Sequence, residues 1–228
     1  MSIEFTALVT GATGGLGSAI ATTLSAANIK VFLTGRNEQR LSQLSKMLGD
    51  RCIGFKSADL SDSSQINQII ESVKPTILIN CAGIFPTGPI EKTSIKEFDD
   101  CFFINVRAPF LLARAAIPHM RQAGWGRIVN VGSSSAYAGF SSTAVYCASK
   151  HALLGLSRAM FHELKNEKIR VYCVSPGSIK TEMGRKVVGQ DYDTFMDPEE
   201  VSSFILQIIE YDGNMISEEI RLNRMHTQ

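Results

Sequence analysis

The chain has 228 residues, of which 44% are hydrophobic and 20% are charged, and its 23 Lys and Arg residues nearly balance its 22 Asp and Glu residues. This composition is too apolar for a disordered chain, and the net charge of +1 lacks the basic excess that a nucleic-acid binder normally carries. Five cysteines without CxxC spacing, no run of about 18 apolar residues and no signal-peptide pattern at Met1–Glu4 predict a cytoplasmic protein without disulfides or membrane spans.

Short apolar segments alternate with helical patterns along most of the chain. The apolar segments do not alternate with polar residues, which is typical of parallel strands buried on both faces. In chain order the predicted elements are strand Thr6–Thr10, helix Gly15–Ala27, strand Lys30–Thr34, helix Glu38–Leu48, strand Cys52–Lys56, helix Ser63–Val73, strand Thr76–Asn80, helix Glu97–Arg121, strand Arg127–Val131, helix Ala144–Leu164 and strand Ile169–Ser175. This order predicts one α/β domain over residues 1–228, with a doubly wound, mostly parallel Rossmann-type sheet and helices on both faces.

The alternation loosens after Ser175. Residues 176–197 are polar and rich in glycine and charge, and an irregular segment of this length in a compact domain is most often a lid or a binding loop. Asp197 is a good N-cap for a predicted helix over Pro198–Tyr211, and Ile220–Leu222 predicts an edge strand. We therefore predict a substrate lid at residues 176–197.

A glycine-rich turn with the spacing TGxxxGxG follows the first predicted strand. Gly11, Gly15 and Gly17 let the backbone turn sharply and approach a diphosphate without Cβ obstruction. The helix that begins in this turn, with Thr13 and Leu16 beside the glycines, supplies free N–H groups and a positive dipole for an anion. A tight structural turn is the alternative interpretation, and the position after the first strand of an α/β chain favours the phosphate site.

Tyr146 and Lys150 lie four residues apart on a predicted helix, so their side chains share one face. A free phenol is a poor acid at neutral pH, but a neighbouring ammonium group favours the phenolate and makes the hydroxyl a usable proton donor and acceptor. Ser133 follows the fifth predicted strand, at the sheet edge where open α/β sheets place their ligands. Its hydroxyl is a candidate for polarising a substrate carbonyl.

These motifs resemble those of the short-chain dehydrogenase/reductase family, and the resemblance covers nearly the whole chain, least clearly after Thr181. The resemblance implies a catalytic set of Asn105, Ser133, Tyr146 and Lys150. In that family the matching asparagine bends its helix and holds a water in a proton relay to the lysine. The implied reaction is hydride transfer between a nicotinamide cofactor and a small carbonyl or alcohol, with Tyr146 as proton donor.

The resemblance also assigns further cofactor contacts. Asp59 and Leu60 match an adenine-binding pair, although Asp59 is equally suited to cap the next helix. Cys81 departs from the family's NNAG motif and is interpreted as a small buried thiol rather than a redox sensor. A PGxxxT segment after the sixth strand matches the segment that holds the nicotinamide carboxamide. The remaining matched positions are Asn80, Ala82, Gly83, Pro176, Gly177, Ile179 and Thr181, together with Tyr146 and Lys150.

The end of the second strand distinguishes NAD from NADP. An acidic residue there would bind the ribose diol and repel a 2′-phosphate. This chain has Arg36, whose guanidinium can pair with phosphate through two parallel hydrogen bonds. A solvated arginine at the start of a surface helix is the alternative, and by resemblance this arginine marks NADP-preferring members. We predict NADP(H) in preference to NAD(H), and no metal.

Two function classes stay open: a reductase of ketones, aldehydes or oxoacyl groups, and a catalytically silent NADP-binding sensor or scaffold. Within the enzymes, 3-oxoacyl-carrier-protein reductase is one candidate, but an acidic carrier would need a basic docking face that the balanced charge does not suggest. We expect a small-molecule substrate, no nucleic-acid or membrane partner, and a homodimer through Glu97–Arg121 and Ala144–Leu164 or a homotetramer. Residues that flank the motifs predict an apolar pocket: Phe85, Tyr137, Phe140, Met183 and Tyr192.

Overall fold

The structure, a computed structural model, describes residues 5–225; Met1–Glu4, where no signal peptide is predicted, lie outside the described residues. The described residues form a seven-stranded sheet in the order β3-β2-β1-β4-β5-β6-β7, in which every neighbouring pair is parallel. The strands are β1 Thr6–Thr10, β2 Lys30–Gly35, β3 Cys52–Ser57, β4 Ile77–Asn80, β5 Gly126–Val131, β6 Ile169–Pro176 and β7 Glu219–Leu222. The predicted doubly wound α/β fold is confirmed, including the edge strand near the end of the chain.

Helices cover both faces of this sheet. They are α1 Gly15–Ala26, α2 Glu38–Leu48, α3 Ser63–Val73, α4 Ile95–Phe102, α5 Ala108–Ala123, α6 Ala144–Leu164 and α7 Pro198–Glu210. One hydrophobic core joins the sheet to α1, α2 and α7, through residues such as Ile20 and Ile205. A second core joins the other face to α3, α5 and α6, through residues such as Leu112 and Phe161. Because each helix has one apolar stripe, the sheet is buried between two helical layers.

Polar side chains cap the amino ends of α2, α3, α4 and α7. Asp197 and Glu200 form a capping box at α7, as Ser94 and Glu97 do at α4. Asp62, not Asp59, caps α3, so the alternative role of Asp59 as a helix cap is wrong. The Asp59 carboxylate instead accepts a hydrogen bond from the backbone of Ser61, at 2.9 Å.

The long helix between β4 and β5 is not uniform. The sequence predicts one helix over Glu97–Arg121, whereas the structure joins α4 and α5 through a π-helical turn at Phe103–Arg107. A π-turn contains one extra residue and is frequent at functional sites. By length and composition alone the whole stretch Ile95–Ala123 is able to cross a membrane; in this fold one side of it packs against α3, α6 and the sheet, and its other side is exposed.

The segment at residues 176–197, which we call the lid, is more ordered than its composition predicts. Two short 3₁₀ turns, Gly184–Lys186 and Tyr192–Thr194, divide it. Ile179 near its start pairs with Met196 near its end in an isolated β-bridge. The lid therefore leaves the sheet at Pro176 and returns beside its own starting point before α7 begins.

Candidate active site

The glycine turn between β1 and α1 is fitted to its neighbours at backbone level. Gly11 has a φ of +65°, and a Cβ placed on it would lie 2.8 Å from the Cα of Ala82. A Cβ on Gly17 would lie 2.2 Å from the carbonyl oxygen of Gly11. No described side chain caps the amino end of α1, and its first turn contains no acidic residue. The exposed backbone of Gly14 and Gly15 and the uncapped N–H groups fit the diphosphate of a dinucleotide.

The PGxxxT segment lies against this glycine turn. A Cβ on Gly15 would lie 2.8 Å from Cγ2 of Thr181, so the two motifs are in contact. The Thr181 hydroxyl accepts a hydrogen bond from the backbone N–H of Gly184 at 3.0 Å, inside the lid. Pro176 ends β6, Gly177 donates its backbone N–H to Leu222, and Ile179 is buried. The structure therefore places the lid's first residues beside the predicted phosphate cradle.

Thr10, which the sequence analysis did not single out, joins the ends of β1 and β4. Its hydroxyl accepts hydrogen bonds from the backbone N–H groups of Cys81 and Ala82, both at 3.1 Å, and donates to the carbonyl of Ile79. The sequence feature that could have identified Thr10 is its position as the first residue of the TGxxxGxG spacing. Cys81 is half-buried rather than fully buried as the sequence predicts. Desolvation raises the pKa of its thiol to about 12, which disfavours the reactive thiolate.

The Asn80 side chain is buried and hydrogen-bonds to the neighbouring strand β5. Its side-chain amide donates to Oδ1 of Asn130 at 2.8 Å, and Asn130 donates to the hydroxyl of Ser157 on α6 at 2.9 Å. This buried chain of polar groups links β4, β5 and α6. Among the described residues the Asn80 Oδ1 atom has no partner. The structure thus gives the Asn80 side chain a role within the sheet.

Two of the residues predicted to bind the adenosine part of the dinucleotide, Arg36 and Asp59, are exposed to solvent. Arg36 is exposed directly after β2, and a Cβ on the preceding Gly35 would lie 3.0 Å from the hydroxyl of Thr13. The glycine turn and the arginine are therefore neighbours. Asp59 is exposed at the end of β3, whereas the side chain of Leu60 is buried. These positions line the carboxyl edge of β1, β2 and β3.

Tyr146 and Lys150 share one face of α6, as their spacing predicts, and both are buried. The Lys150 Nζ atom lies 5.6 Å from the centre of the Tyr146 ring and donates a hydrogen bond of 2.8 Å to the carbonyl of Val131, at the end of β5. The ring of Phe85 packs edge-on against Tyr146, with the ring centres 4.6 Å apart. Ser133 follows Val131 by two residues, and its hydroxyl accepts a hydrogen bond from a backbone N–H of the next turn.

Asn105 lies in the π-turn, and its amide ties three segments together. Its Oδ1 accepts from the backbone N–H of Ile84 at 2.9 Å, and its Nδ2 donates to the carbonyl of Ile84 at 3.0 Å and to the Ser149 hydroxyl on α6 at 3.0 Å. A Cβ on Gly83 would lie 3.3 Å from Asn105 Oδ1 and 3.9 Å from Lys150 Nζ. The structure thus brings Asn105, Gly83 and Lys150 together at the carboxyl edge of the sheet.

The aromatic residues around the cleft do not share one role. Phe85 contacts Tyr146, and Phe140 and Met183 are exposed. Tyr137, predicted to line the pocket, is instead engaged with β7: its hydroxyl donates to Glu219 and its ring lies under the guanidinium of Arg221. Within residues 5–225 no three His, Cys, Asp or Glu side chains are arranged to hold a metal ion.

Comparison with known proteins gives a consistent set of relatives. A family model described as short chain dehydrogenase matches residues 5–191. A 3-oxoacyl-[acyl-carrier-protein] reductase of Rickettsia typhi is 37% identical over 183 residues, which are 80% of this chain and 76% of the relative.

Solved structures agree over almost the full length. A 3-ketoacyl-(acyl-carrier-protein) reductase of Brucella melitensis, complexed with NADH, has a TM-score of 0.88 at 26% identity and covers 97% of both chains. A structure described as an NAD(P)-dependent gluconate 5-dehydrogenase of Beutenbergia cavernae, with bound NADP, has a TM-score of 0.86 at 25% identity and covers 96% of this chain and 94% of that chain.

Proposed function

The chain belongs to the short-chain dehydrogenase/reductase family, and we propose that it is an NADP(H)-dependent oxidoreductase that reduces the carbonyl of a ketone, an aldehyde or an oxoacyl group to an alcohol. The observation that carries the proposal is the buried pair of Tyr146 and Lys150 on one face of α6, beside the loop that holds Ser133. A phenol and an ammonium buried on one helix face can serve as a proton donor and as the charge that assists it.

In the proposed mechanism the hydroxyl groups of Ser133 and Tyr146 hold the substrate oxygen. The glycine turn and the PGxxxT segment would hold a reduced nicotinamide dinucleotide, which would supply the hydride to the carbonyl carbon. Tyr146 transfers its hydroxyl proton to the oxygen, and the Lys150 ammonium stabilises the phenolate that remains. The Phe85 ring against Tyr146 excludes water from one side of the phenol. Asn105 holds Ile84, and with it the loop that leads to Phe85, at a fixed position beside α6.

The proposed preference for NADP(H) rests on Arg36. Its guanidinium is exposed at the end of β2, where an acidic residue would favour NAD(H), and the glycine turn lies next to it. Related structures were described with NADP and with NADH, so the family alone does not decide the cofactor. In Arg36→Asp we expect the preference for NADPH over NADH, measured as a ratio of kcat/KM values, to fall by at least about tenfold. Arg51→Gln, an exposed arginine whose guanidinium donates to the carbonyl of Asn28 away from the glycine turn and the lid, is the control and should keep the wild-type ratio.

The proposed substrate is a small molecule, and the oxoacyl thioesters of a carrier protein are one class within it. The curated relative that acts on oxoacyl-carrier-protein supports this class, and the exposed Phe140 and Met183 offer apolar contacts to an acyl chain. A structure described as a gluconate 5-dehydrogenase has a similar fold, so activity should be tested with a panel of carbonyl substrates rather than with oxoacyl thioesters alone. We further propose a cytoplasmic location, because all five described cysteines are free thiols.

We also propose that the chain forms a homodimer through the helical stretch α4 to α5. Its outer face exposes Ile95, Phe98, Phe103 and Phe110. A two-fold axis between positions 106 and 107 would place Phe103 opposite Phe110 of a second copy, and Asp99 opposite Arg114. This pattern is self-complementary in apolar groups and in charge, as an isologous interface requires. Light scattering should show a dimer for the wild type and a monomer for Phe110→Glu; a wild-type monomer would contradict the proposal.

The decisive test of the catalytic role is Tyr146→Phe, which removes the proton donor and keeps the ring. We expect kcat/KM for NADPH oxidation with the best accepted carbonyl to fall by about 10²- to 10⁴-fold, while NADPH binding, followed by fluorescence, is retained. Undiminished turnover in this variant would contradict the role of Tyr146. Tight NADPH binding by the wild type, with no turnover of any ketone, aldehyde or oxoacyl thioester, would favour the alternative of a silent NADP-binding sensor or scaffold.

A further inference from the structure

The lid is closed at its neck by backbone and charge contacts. Met196 donates its backbone N–H to the carbonyl of Ser178 at 3.1 Å, and the backbone N–H of Lys180 donates to the carbonyl of Met196 at 2.9 Å. The Lys180 ammonium lies 3.0 Å from the carboxylate of Asp197. These contacts join the two ends of the lid to each other, but they do not attach the residues between them to the body of the domain.

Arg224, two residues beyond β7, makes the most extensive attachment, beside one exposed ion pair between Arg40 of α2 and Glu182 of the lid. Its Nη1 donates to the Thr194 hydroxyl at 2.7 Å and its Nη2 donates to Oε1 of Gln190 at 2.8 Å. The guanidinium also lies 5.1 Å from the ring centre of Phe195, which is buried. Two charge-assisted hydrogen bonds and a cation–π contact from one planar group fix three lid residues at once.

The same contacts continue to the cofactor-binding segment. Oε1 of Gln190 accepts a second hydrogen bond, at 2.9 Å, from the hydroxyl of Ser178. Ser178 belongs to the PGxxxT segment, and Thr181 of that segment lies against Gly15 of the glycine turn. A continuous set of contacts thus connects Arg224 with the candidate phosphate cradle through Gln190, Ser178 and Thr181.

We infer that Arg224 is a positioning residue that holds the lid in the orientation required for binding the dinucleotide and the carbonyl substrate, an inference that rests on the proposed function. The family model ends at residue 191, so Thr194, Phe195 and Arg224 lie outside the matched part of the chain. Arg224 does not reach the reacting atoms; it acts through the lid. Its loss should therefore weaken binding more than it slows the chemical step.

The test compares Arg224→Gln, Arg224→Lys and a control, Arg51→Gln, whose side chain is exposed next to Asn28, away from the lid. In Arg224→Gln we expect the Kd for NADPH and the KM for the carbonyl to rise by about tenfold, with kcat changed by less than about twofold. Arg224→Lys should recover part of this loss, because an ammonium keeps the charge but not the two-pronged geometry. Arg51→Gln should match the wild type.

Limited trypsin digestion gives a readout that does not depend on turnover. Arg185 and Lys186 are exposed in the lid, so mass spectrometry can follow cleavage after them. Cleavage in Arg224→Gln should be several-fold faster than in the wild type or Arg51→Gln, with and without NADPH. Unchanged cleavage would overturn the inference, and so would faster cleavage with an unchanged Kd and KM. A wild type without carbonyl turnover would defeat the proposed function, while the digestion and the NADPH titration would still decide the role of Arg224.

Discussion

Two buried cations lie at opposite ends of β5, and they differ in how many hydrogen bonds the surrounding protein accepts from them. Arg127, at the amino end, donates to the carbonyls of Ile209, Gly126 and Lys168 and to Asp212, and its guanidinium lies 4.1 Å from the ring centre of Trp125. Lys150, at the carboxyl end, makes one hydrogen bond among the described residues, to Val131. An ammonium has three N–H donors, so Lys150 keeps donor capacity that Arg127 has lost.

This difference separates a structural charge from a functional one. Arg127 binds the last turn of α7 and the loop after it, and neighbouring Arg170 donates to the carbonyls of Tyr211 and Gly213 in that loop. These contacts anchor α7 to the amino edge of the sheet. A buried charge with few internal partners lowers stability and is retained where a ligand or a reaction uses it. The comparison thus predicts that Arg127 at the amino edge serves stability, whereas Lys150 at the carboxyl edge serves the proposed chemistry.

The largest expected effect comes from Lys150→Met, which removes the charge and keeps an unbranched side chain. We expect kcat/KM for NADPH oxidation to fall by about 10²- to 10⁴-fold. Thermal unfolding should occur at the wild-type temperature or above it, because a poorly paired buried charge has been replaced by an apolar group. A variant that unfolds several degrees lower would place Lys150 in the same structural class as Arg127 and break the comparison.

Arg127→Met should show the reverse pattern. The free energy of unfolding, measured in urea, should fall by about 3 kcal/mol, because the carbonyls of Ile209 and Lys168 lose their buried donor. The kcat of the folded fraction should stay close to that of the wild type. Asp212→Asn is the matched control, since Asp212 is largely exposed and its loss of charge should cost far less. A collapse of kcat in folded Arg127→Met would contradict the separation of roles.

The smallest effect concerns Glu219 at the start of β7, whose carboxylate accepts hydrogen bonds from Arg158 of α6 and from the Tyr137 hydroxyl. The guanidinium of Arg158 donates to its carboxylate and lowers the pKa of Glu219. Because that pKa is depressed in the folded state, the stabilisation is complete above the unfolded value near 4.3 and is lost as pH falls through the folded value. Glu219→Gln should therefore be less stable than the wild type by about 1 kcal/mol at pH 7, and the stabilities of the two should converge as the pH falls below the folded pKa of Glu219. A stability gap that stays constant as the pH is lowered would assign the effect to packing.

Local patterns carried much of the fold and part of the candidate site. The order of strands and helices follows from apolar runs and helical periodicity, and most predicted ends lie within two residues of the observed ones. The shared face of Tyr146 and Lys150 follows from the helical repeat alone. Arg127 shows where such reasoning stops. Its guanidinium donates to the carbonyl of Ile209, which is 82 residues away in the chain, and no local pattern predicts that contact.

The sequence by itself determined the α/β alternation, the glycine turn and the spacing of the catalytic candidates, because each depends on residues a few positions apart. Tertiary structure alone decided the π-turn at Asn105, the inward direction of the Asn80 amide and the attachment of the lid to Arg224. Each of these is set by hydrogen bonds between segments that are distant in the chain. Such partners meet only after the two layers have packed on the sheet, so no local periodicity records them.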